Sequence, residues 1–448
     1  MLNEKFPAYY SKKIETMPQH EVRKAVQEPK FLKQIRYVTE NSEFYHRKFK
    51  EIGLELRDIK SLDDLVKIPF TNKDEVRQSQ EENPPLGLHM ACHENKVLRI
   101  YSSSGTSGRP TYIGLTMHDL NDVWLNIIPR TYYATGMRPS DKLVFTTQVG
   151  PFVAGATLQG YERMGVTTIP LGPGQTERLI SSYQIVGANV LMATPSYAEY
   201  LINWCLQRNI DTDKLGINKI VVAGEPGGSI PSIRRKIEEA FGGMCTEAMG
   251  MADISPSLWG ECPEAKEGMH FCAQEYVLVE LIDPESGKIL EWKDGVRGEL
   301  VYTAIDRQCV PLLRFRSRDH VQLWSSKCIC GRTSPRVRVF GRTDDMLIVL
   351  GVNVFPAAVK AVVNEFRPRT TGEIQILLTE PGHRVKPPVP IMVEYGANAG
   401  DLSRLKEDVE DRIRAKLVFR AAVELIPDNT LPRYEYKGKL VRKVYEEE

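Results

Sequence analysis

Residues 101–110 read Tyr101-Ser102-Ser103-Ser104-Gly105-Thr106-Ser107-Gly108-Arg109-Pro110. Hydroxyls at Ser102, Ser103, Ser104, Thr106 and Ser107 crowd around Gly105 and Gly108. Glycine lets successive backbone N–H groups turn toward one point, and the hydroxyls add further donors. Such a loop suits an anion such as a triphosphate. The run before it, 96–100, carries Val97, Leu98 and Ile100 and is predicted as a strand, and a strand leading into a phosphate loop is a recurrent α/β motif. No Gly-Lys-Ser/Thr follows the glycines, so this is not a Walker A loop. Read alone, the stretch also fits a solvated Ser/Gly linker.

The chain beyond the loop supports the α/β reading. Short apolar runs at 143–146, 167–169, 190–193 and 220–223 have strand character, and helical stretches at 176–186 and 196–208 separate them. Thr176 and Ser196 are placed to cap those helices, and Ser196-x-x-Glu199 has capping-box spacing. Strands alternating with helices predict a mostly parallel sheet covered on both faces, with ligands at the carboxyl ends of the strands. Residues 1–95 read as helical and connective. Later runs at 276–282 and 298–303 carry antiparallel signals. A smaller α+β unit starts near Thr343, with strands around 374–378 and 390–395. Its helix at 402–418 has a stripe of Leu402, Leu405, Val409, Ile413 and Leu417. The predicted division is 1–342 and 343–448.

With 448 residues the chain exceeds one ordinary core. Lys plus Arg total 59 against 58 for Asp plus Glu, a net charge of +1. That balance gives no electrostatic reason to expect nucleic acid or an anionic membrane as partner. No apolar run spans a bilayer. The polar start, Met1-Leu2-Asn3-Glu4-Lys5, lacks a signal-peptide core, so the cytoplasm is expected, with the eight cysteines as thiols or metal ligands.

Other stretches carry chemistry only in combination. Asp319 closes Arg314-Phe315-Arg316-Ser317-Arg318-Asp319; its two oxygens suit a ribose diol, and equally a surface ion pair. Asp344 and Asp345 sit where the composition changes, as hinge or Asx-turn residues. Gly224-Glu225-Pro226 and Met249-Gly250-Met251-Ala252-Asp253 follow strands and suit an adenine and a magnesium-bound phosphate, or ordinary turns. Lys437, in 432–439, is a flexible ammonium able to bridge a carboxylate and an α-phosphate, or a solvated tail lysine.

Taken together, and in this order, 101–110, 224–226, 314–319, 341–345, 351–356 and 432–439 resemble the motifs of adenylate-forming ligases, most closely phenylacetate–coenzyme A ligases and related aryl-acid ligases. The likeness runs from about residue 20 to 445. It implies a two-step reaction: a carboxylic acid and Mg-ATP give an acyl adenylate and pyrophosphate, then coenzyme A displaces AMP. It implies that Ser103, Ser104, Gly105, Thr106 and Gly108 hold phosphates. Gly224, Glu225, Pro226, Met249 and Gly250 would attend the adenine, and Asp319 and Arg342 the remaining nucleotide. Asp253 stands where the family has a magnesium-associated glutamate, Lys437 matches the adenylation lysine, and Asp344 matches the hinge. Phe152, Ala154, Gly155 and Tyr197 would border an apolar pocket for an aromatic acid of phenylacetate, indoleacetate or benzoate type. A homodimer is expected.

Two features depart from the pattern or add to it. Met249 replaces an adenine-stacking aromatic, and Asp253 is one methylene shorter than the family glutamate. A carrier-protein thiol as acceptor and a non-catalytic nucleotide-binding role remain alternative readings. Family topology also brings Cys262 and His270 near Cys328 and Cys330. For these four residues two readings stand: a structural zinc site, or free thiols with a hydrogen-bonded histidine.

Overall fold

The computed structural model describes residues 6–103, 110–146, 150, 152–172, 174–343, 345–350, 352–380, 382, 384–433 and 439–446. The chain divides into two compact units. One comprises 1–192, 246–317 and 322–338; the other comprises 193–245, 318–321 and 339–448. The fold is mixed α/β, with a large sheet and a small C-terminal one.

In the first unit the N-terminal region is helical, as predicted. Helices Glu28–Asn41 and Glu43–Glu51 turn Phe31, Ile35, Val38, Tyr45 and Phe49 onto Ile68, Leu278 and Leu313. Each fully buried side chain of this kind contributes about 1.5–3 kcal/mol. Strand Lys142–Phe145 pairs in parallel with Thr167–Pro170 and with Val190–Ala193, as the alternating pattern predicts. Antiparallel pairing follows: Gly260, in Ser255–Glu261, lies opposite Ala248 on one side and His270 on the other. Val277–Ile282 pairs antiparallel with Arg297–Ala304.

The serine-rich loop joins a hairpin, Arg99–Ser102 against Tyr112–Leu115, with Ser102 opposite Tyr112. The strand starts later than the apolar run suggested. Residues Glu94–Lys96 form a 3-10 turn instead, capped by the His93 ring, which accepts from the Asn95 N–H.

In the second unit, helix Pro195–Leu206 is capped by Thr194, whose hydroxyl accepts from Tyr197 N–H at 3.1 Å. The expected Ser196–Glu199 capping box does not form, because Pro195 already occupies the first turn and Glu199 is drawn into a buried ion cluster. Thr176 likewise begins its helix inside the first turn; the cap position is Gln175.

The C-terminal part of this unit carries a four-stranded sheet in the order Ala421–Ile426, Val389–Tyr395, Thr370–Leu378, Val441–Lys443. The central pair is antiparallel, with Ile376 opposite Ile391, and both outer pairs are parallel. Helix Leu402–Leu417 covers it. Asp401 caps the helix by accepting from the N–H groups of Ser403 and Arg404. Leu405, Val409 and Ile413 are fully buried in the core, as the stripe predicts, but Leu402 at the end of the stripe is exposed.

Candidate functional site

The hairpin turn between strands Met244–Met251 and Ser255–Glu261 positions Asp253. Ile254 N–H donates to the Met251 carbonyl at 2.9 Å, closing the turn. Trp124 Nε1 donates to the Ile254 carbonyl at 2.9 Å and holds the turn from the side. Gly250 lies against the Pro256 carbonyl, and a Cβ there would collide with it. Met249 sits opposite Trp259 across the ladder.

This turn delivers a nearly buried carboxylate to the root of the serine loop. Lys73 Nζ lies 2.7 Å from Asp253 Oδ1 and 2.6 Å from Oδ2. The same ammonium donates to Thr111 Oγ1 at 2.6 Å. Thr111 Oγ1 stands 3.2 Å from Asp253 Oδ1 and 3.1 Å from Ser103 Oγ, and Thr111 N–H donates to Ser103 Oγ at 2.9 Å. Lysine, aspartate, threonine and serine thus form one continuous network at the two ends of the loop. Lys73 is held at the first turn of helix Lys73–Glu82, where Asn72 N–H donates to Glu75 Oε2 at 2.7 Å. Just before it, Thr71 is bridged in parallel to Phe315.

Of the expected phosphate residues, Ser103 joins this network; Ser104, Gly105, Thr106 and Gly108 lie outside the described residues, as do Asp344 and Lys437. Phe152 forms a parallel bridge to Ser102, which sets the Val153–Gly155 turn beside the start of the loop. Ala154 and Gly155 therefore share the first unit with Ser103, Met249, Gly250 and Asp253.

The remaining expected residues belong to the second unit. Gly224 adopts a φ of 92° after strand Lys219–Ala223, a left-handed conformation that favours glycine. Glu225 Oε1 accepts from Ser196 N–H at 2.7 Å, which joins the Gly224-Glu225-Pro226 turn to the helix bearing Tyr197. Tyr197 is buried and stacks on Tyr200 at 5.8 Å. Asp319 and Arg342 come together on neighbouring segments, since Thr343 N–H donates to the Arg318 carbonyl at 2.6 Å. Arg314 and Arg316, by contrast, are structural. Each grips a buried glutamate through two nitrogens, Arg314 with Glu280 and Arg316 with Glu299.

A second charged cluster was not expected from sequence. Glu199, buried in helix Pro195–Leu206, is ringed by Lys236 at 3.0 Å, Lys360 at 3.1 Å and Arg367 at 3.1 Å. Burial pushes its carboxyl up, but Lys360, Lys236 and Arg367 outweigh burial and hold it well below the usual carboxylate range.

Residues 351–443 match the family model of the AMP-binding enzyme C-terminal domain. The phenylacetate-coenzyme A ligase of Thermus thermophilus is 33% identical over 97% of this chain and 98% of its own length. The chain belongs to the phenylacetate-coenzyme A ligase family. The Escherichia coli phenylacetate-coenzyme A ligase is 31% identical over 90% of this chain and 91% of its own. Among solved structures, a 2-hydroxyisobutyryl-CoA ligase, in the postadenylation state with an acyl-AMP bound, superposes with a TM-score of 0.91. That match is 28% identical and covers 100% of this chain and 95% of the other. As a member of the phenylacetate-coenzyme A ligase family, the chain is an AMP-forming carboxylate–CoA ligase that works through an adenylate and uses ATP and coenzyme A. Among the described residues no helix is long and apolar enough to cross a membrane.

Sequence reasoning missed Lys73 and Thr111. Thr111 follows the loop directly and repeats its hydroxyl chemistry, so extending the motif by one residue past Pro110 finds it. Lys73 carries only a helix-start signal, Asn72-x-x-Glu75, which says nothing about a partner 180 residues away.

Proposed function

We propose that this ligase activates an aromatic carboxylic acid of phenylacetate, indoleacetate or benzoate type. The observation that carries the reading is the Ser102–Phe152 bridge. It lays the apolar Phe152-Val153-Ala154-Gly155 segment beside Ser102, where the chain enters the loop proposed to hold ATP. An acid can attack the α-phosphate only if its pocket opens next to the phosphates. The names of the curated relatives, phenylacetate-coenzyme A ligases, support an aryl acid.

In the first step a carboxylate oxygen attacks the α-phosphorus and the bond to pyrophosphate breaks. In the second, the coenzyme A sulfur attacks the acyl carbon, its proton leaves to solvent, and the bond to AMP breaks. Ser103, Ser104, Gly105, Thr106 and Gly108 hold the phosphates, with Thr111 fixing the loop's base. Asp253 offers the hard oxygen that a phosphate-bound Mg2+ takes from a protein, and that ion would neutralise phosphate charge. Lys73 holds the Asp253 carboxylate in place through both of its oxygens. Gly224, Glu225, Pro226, Met249 and Gly250 attend the adenine, and Asp319 and Arg342 the ribose side. Tyr197 borders the acyl pocket. Lys437 stabilises charge on the reacting carboxylate and α-phosphate. Asp344 is the pivot of a mobile 343–448 segment, and the active species is a homodimer, which light scattering checks.

The test is pyrophosphate release from phenylacetate, indoleacetate, benzoate and 2-hydroxyisobutyrate, with and without coenzyme A, and mass identification of the thioester. An aryl acid is expected to give equal AMP and thioester. Faster turnover of 2-hydroxyisobutyrate than of every aryl acid would overturn the aromatic assignment. Adenylate formation without thioester would point to a carrier-protein acceptor.

A further inference from the structure

Away from the chemistry assigned above, three thiols and an imidazole converge. The Sγ atoms of Cys262, Cys328 and Cys330 and a ring nitrogen of His270 all lie within 4.8 Å of one another. Cys262 Sγ and Cys328 Sγ are 3.7 Å apart, and Cys330 Sγ is 3.3 Å from His270 Nε2. A tetrahedral zinc with bonds of about 2.3 Å to sulfur and about 2.0 Å to nitrogen requires edges of roughly 3.8 Å between sulfurs and 3.5 Å between sulfur and nitrogen. The two observed edges match those values.

Local structure explains how a tight Cys-x-Cys supplies two ligands. Gly331 N–H donates to the Cys328 carbonyl at 3.0 Å, closing a turn. Ile329 at its tip is 81% exposed, which leaves Cys328 and Cys330 facing inward together. Gly331 has a φ of 85°, and a Cβ there would strike the Tyr9 hydroxyl. His270 is wholly buried on its strand, and its second nitrogen, Nδ1, lies 3.5 Å from Ser334 Oγ. A partner on the other ring nitrogen is how metal-bound histidines are oriented. Three soft thiolates and one imidazole, with no open position, make a closed structural set, not a catalytic one.

The same turn anchors the N-terminal arm. Tyr9 Oη donates to the Cys330 carbonyl at 2.9 Å, Arg332 Nε donates to buried Glu15 at 2.8 Å, and Thr333 Oγ1 donates to the Met17 carbonyl at 2.6 Å. We propose that Cys262, His270, Cys328 and Cys330 bind one zinc ion, and that this ion holds the turn onto which residues 9–17 dock. The proposal does not depend on the acyl substrate.

The full-length protein, purified without chelator, is tested by elemental analysis for zinc, iron, nickel and copper. About one zinc per chain is expected, falling at least tenfold in Cys330→Ser. Should that variant not fold, the wild type is titrated with a mercurial while released zinc is read with a chromophoric chelator. Replacement with Co2+ should then give the intense visible bands of tetrahedral thiolate ligation. Stripping the metal should also speed tryptic cleavage at Lys12 and Lys13 several-fold ahead of the rest of the chain. Freshly purified protein with no stoichiometric metal, and with Cys262, Cys328 and Cys330 reactive or disulfide-linked, would overturn the assignment. Cleavage at Lys12 and Lys13 unchanged by metal removal would overturn its link to the arm.

Discussion

The Lys73 ammonium spans both oxygens of the Asp253 carboxylate, at 2.7 and 2.6 Å, and reaches Thr111 from the same nitrogen. A lysine at a helix start and an aspartate in a hairpin turn are thereby fixed against the ends of the serine loop. The aspartate side chain is 5% exposed, so its charge acts in a medium that screens little.

Asp253→Asn leaves Lys73 facing a neutral amide. Adenylate formation, read as pyrophosphate release, is expected to fall about 10²-fold, the scale for losing one preorganised charge contact. Stability should fall by about 1–3 kcal/mol, since Lys73 remains partly solvated. Asp253→Glu should recover much of the rate, and full activity in the Asn variant would remove Asp253 from the reaction.

Lys437→Ala is expected to abolish acyl-adenylate formation while ATP binding and the melting temperature persist. Thioester formation from a supplied acyl adenylate should survive. Undiminished pyrophosphate release would remove the lysine from the first step.

Glu199→Gln strands three cations around a neutral amide. Breaking a buried pair from one side costs about 3–5 kcal/mol, which chemical denaturation at neutral pH measures. The folded carboxyl is held below its unfolded value of 4.5. Its contribution is therefore complete above that value and is lost as pH falls below it. The wild type should lose stability more steeply than the Gln variant below about pH 4.5. Lys360 and Arg367 belong to the 343–448 segment. The proposed pivot at Asp344 would part them from Glu199, and on that proposal the variant should also change the ratio of thioester to adenylate rates.

His89 sets a second pH dependence. Its ring is fully buried, stacks on Phe44 at 3.6 Å, and places Nδ1 2.8 Å from Ser79 Oγ. Burial, with help from Lys48, pushes its pKa down from 6.5 to about 3. Between those values the unfolded chain binds a proton that the folded chain refuses. Stability from this site is full above pH 6.5 and declines toward pH 3, by up to about 1.4 kcal/mol per pH unit. His89→Gln should flatten the slope between pH 6 and 4; an unchanged slope would show that another group sets it.

Much of this protein was legible locally. The strands at 190–193 and 276–282 and the helix at 176–186 announce themselves by periodicity and turn residues, which are properties of neighbouring side chains. The buried centre of the 402–417 helix follows from three- and four-residue spacing, although spacing says nothing about where cover ends, and Leu402 lies outside it. The order of the glycine, serine and terminal lysine motifs carried the family and its two-step chemistry. Partnership between distant charges was not legible. Nothing near Lys73 encodes Asp253, nothing in Ser196-x-x-Glu199 distinguishes a cap from an ion cluster, and the Phe152 bridge to Ser102 has no sequence period. Those pairings arise where segments far apart in the chain cross, and a buried charge takes whichever partner the crossing brings, because leaving it alone in a low dielectric costs more than any local propensity supplies.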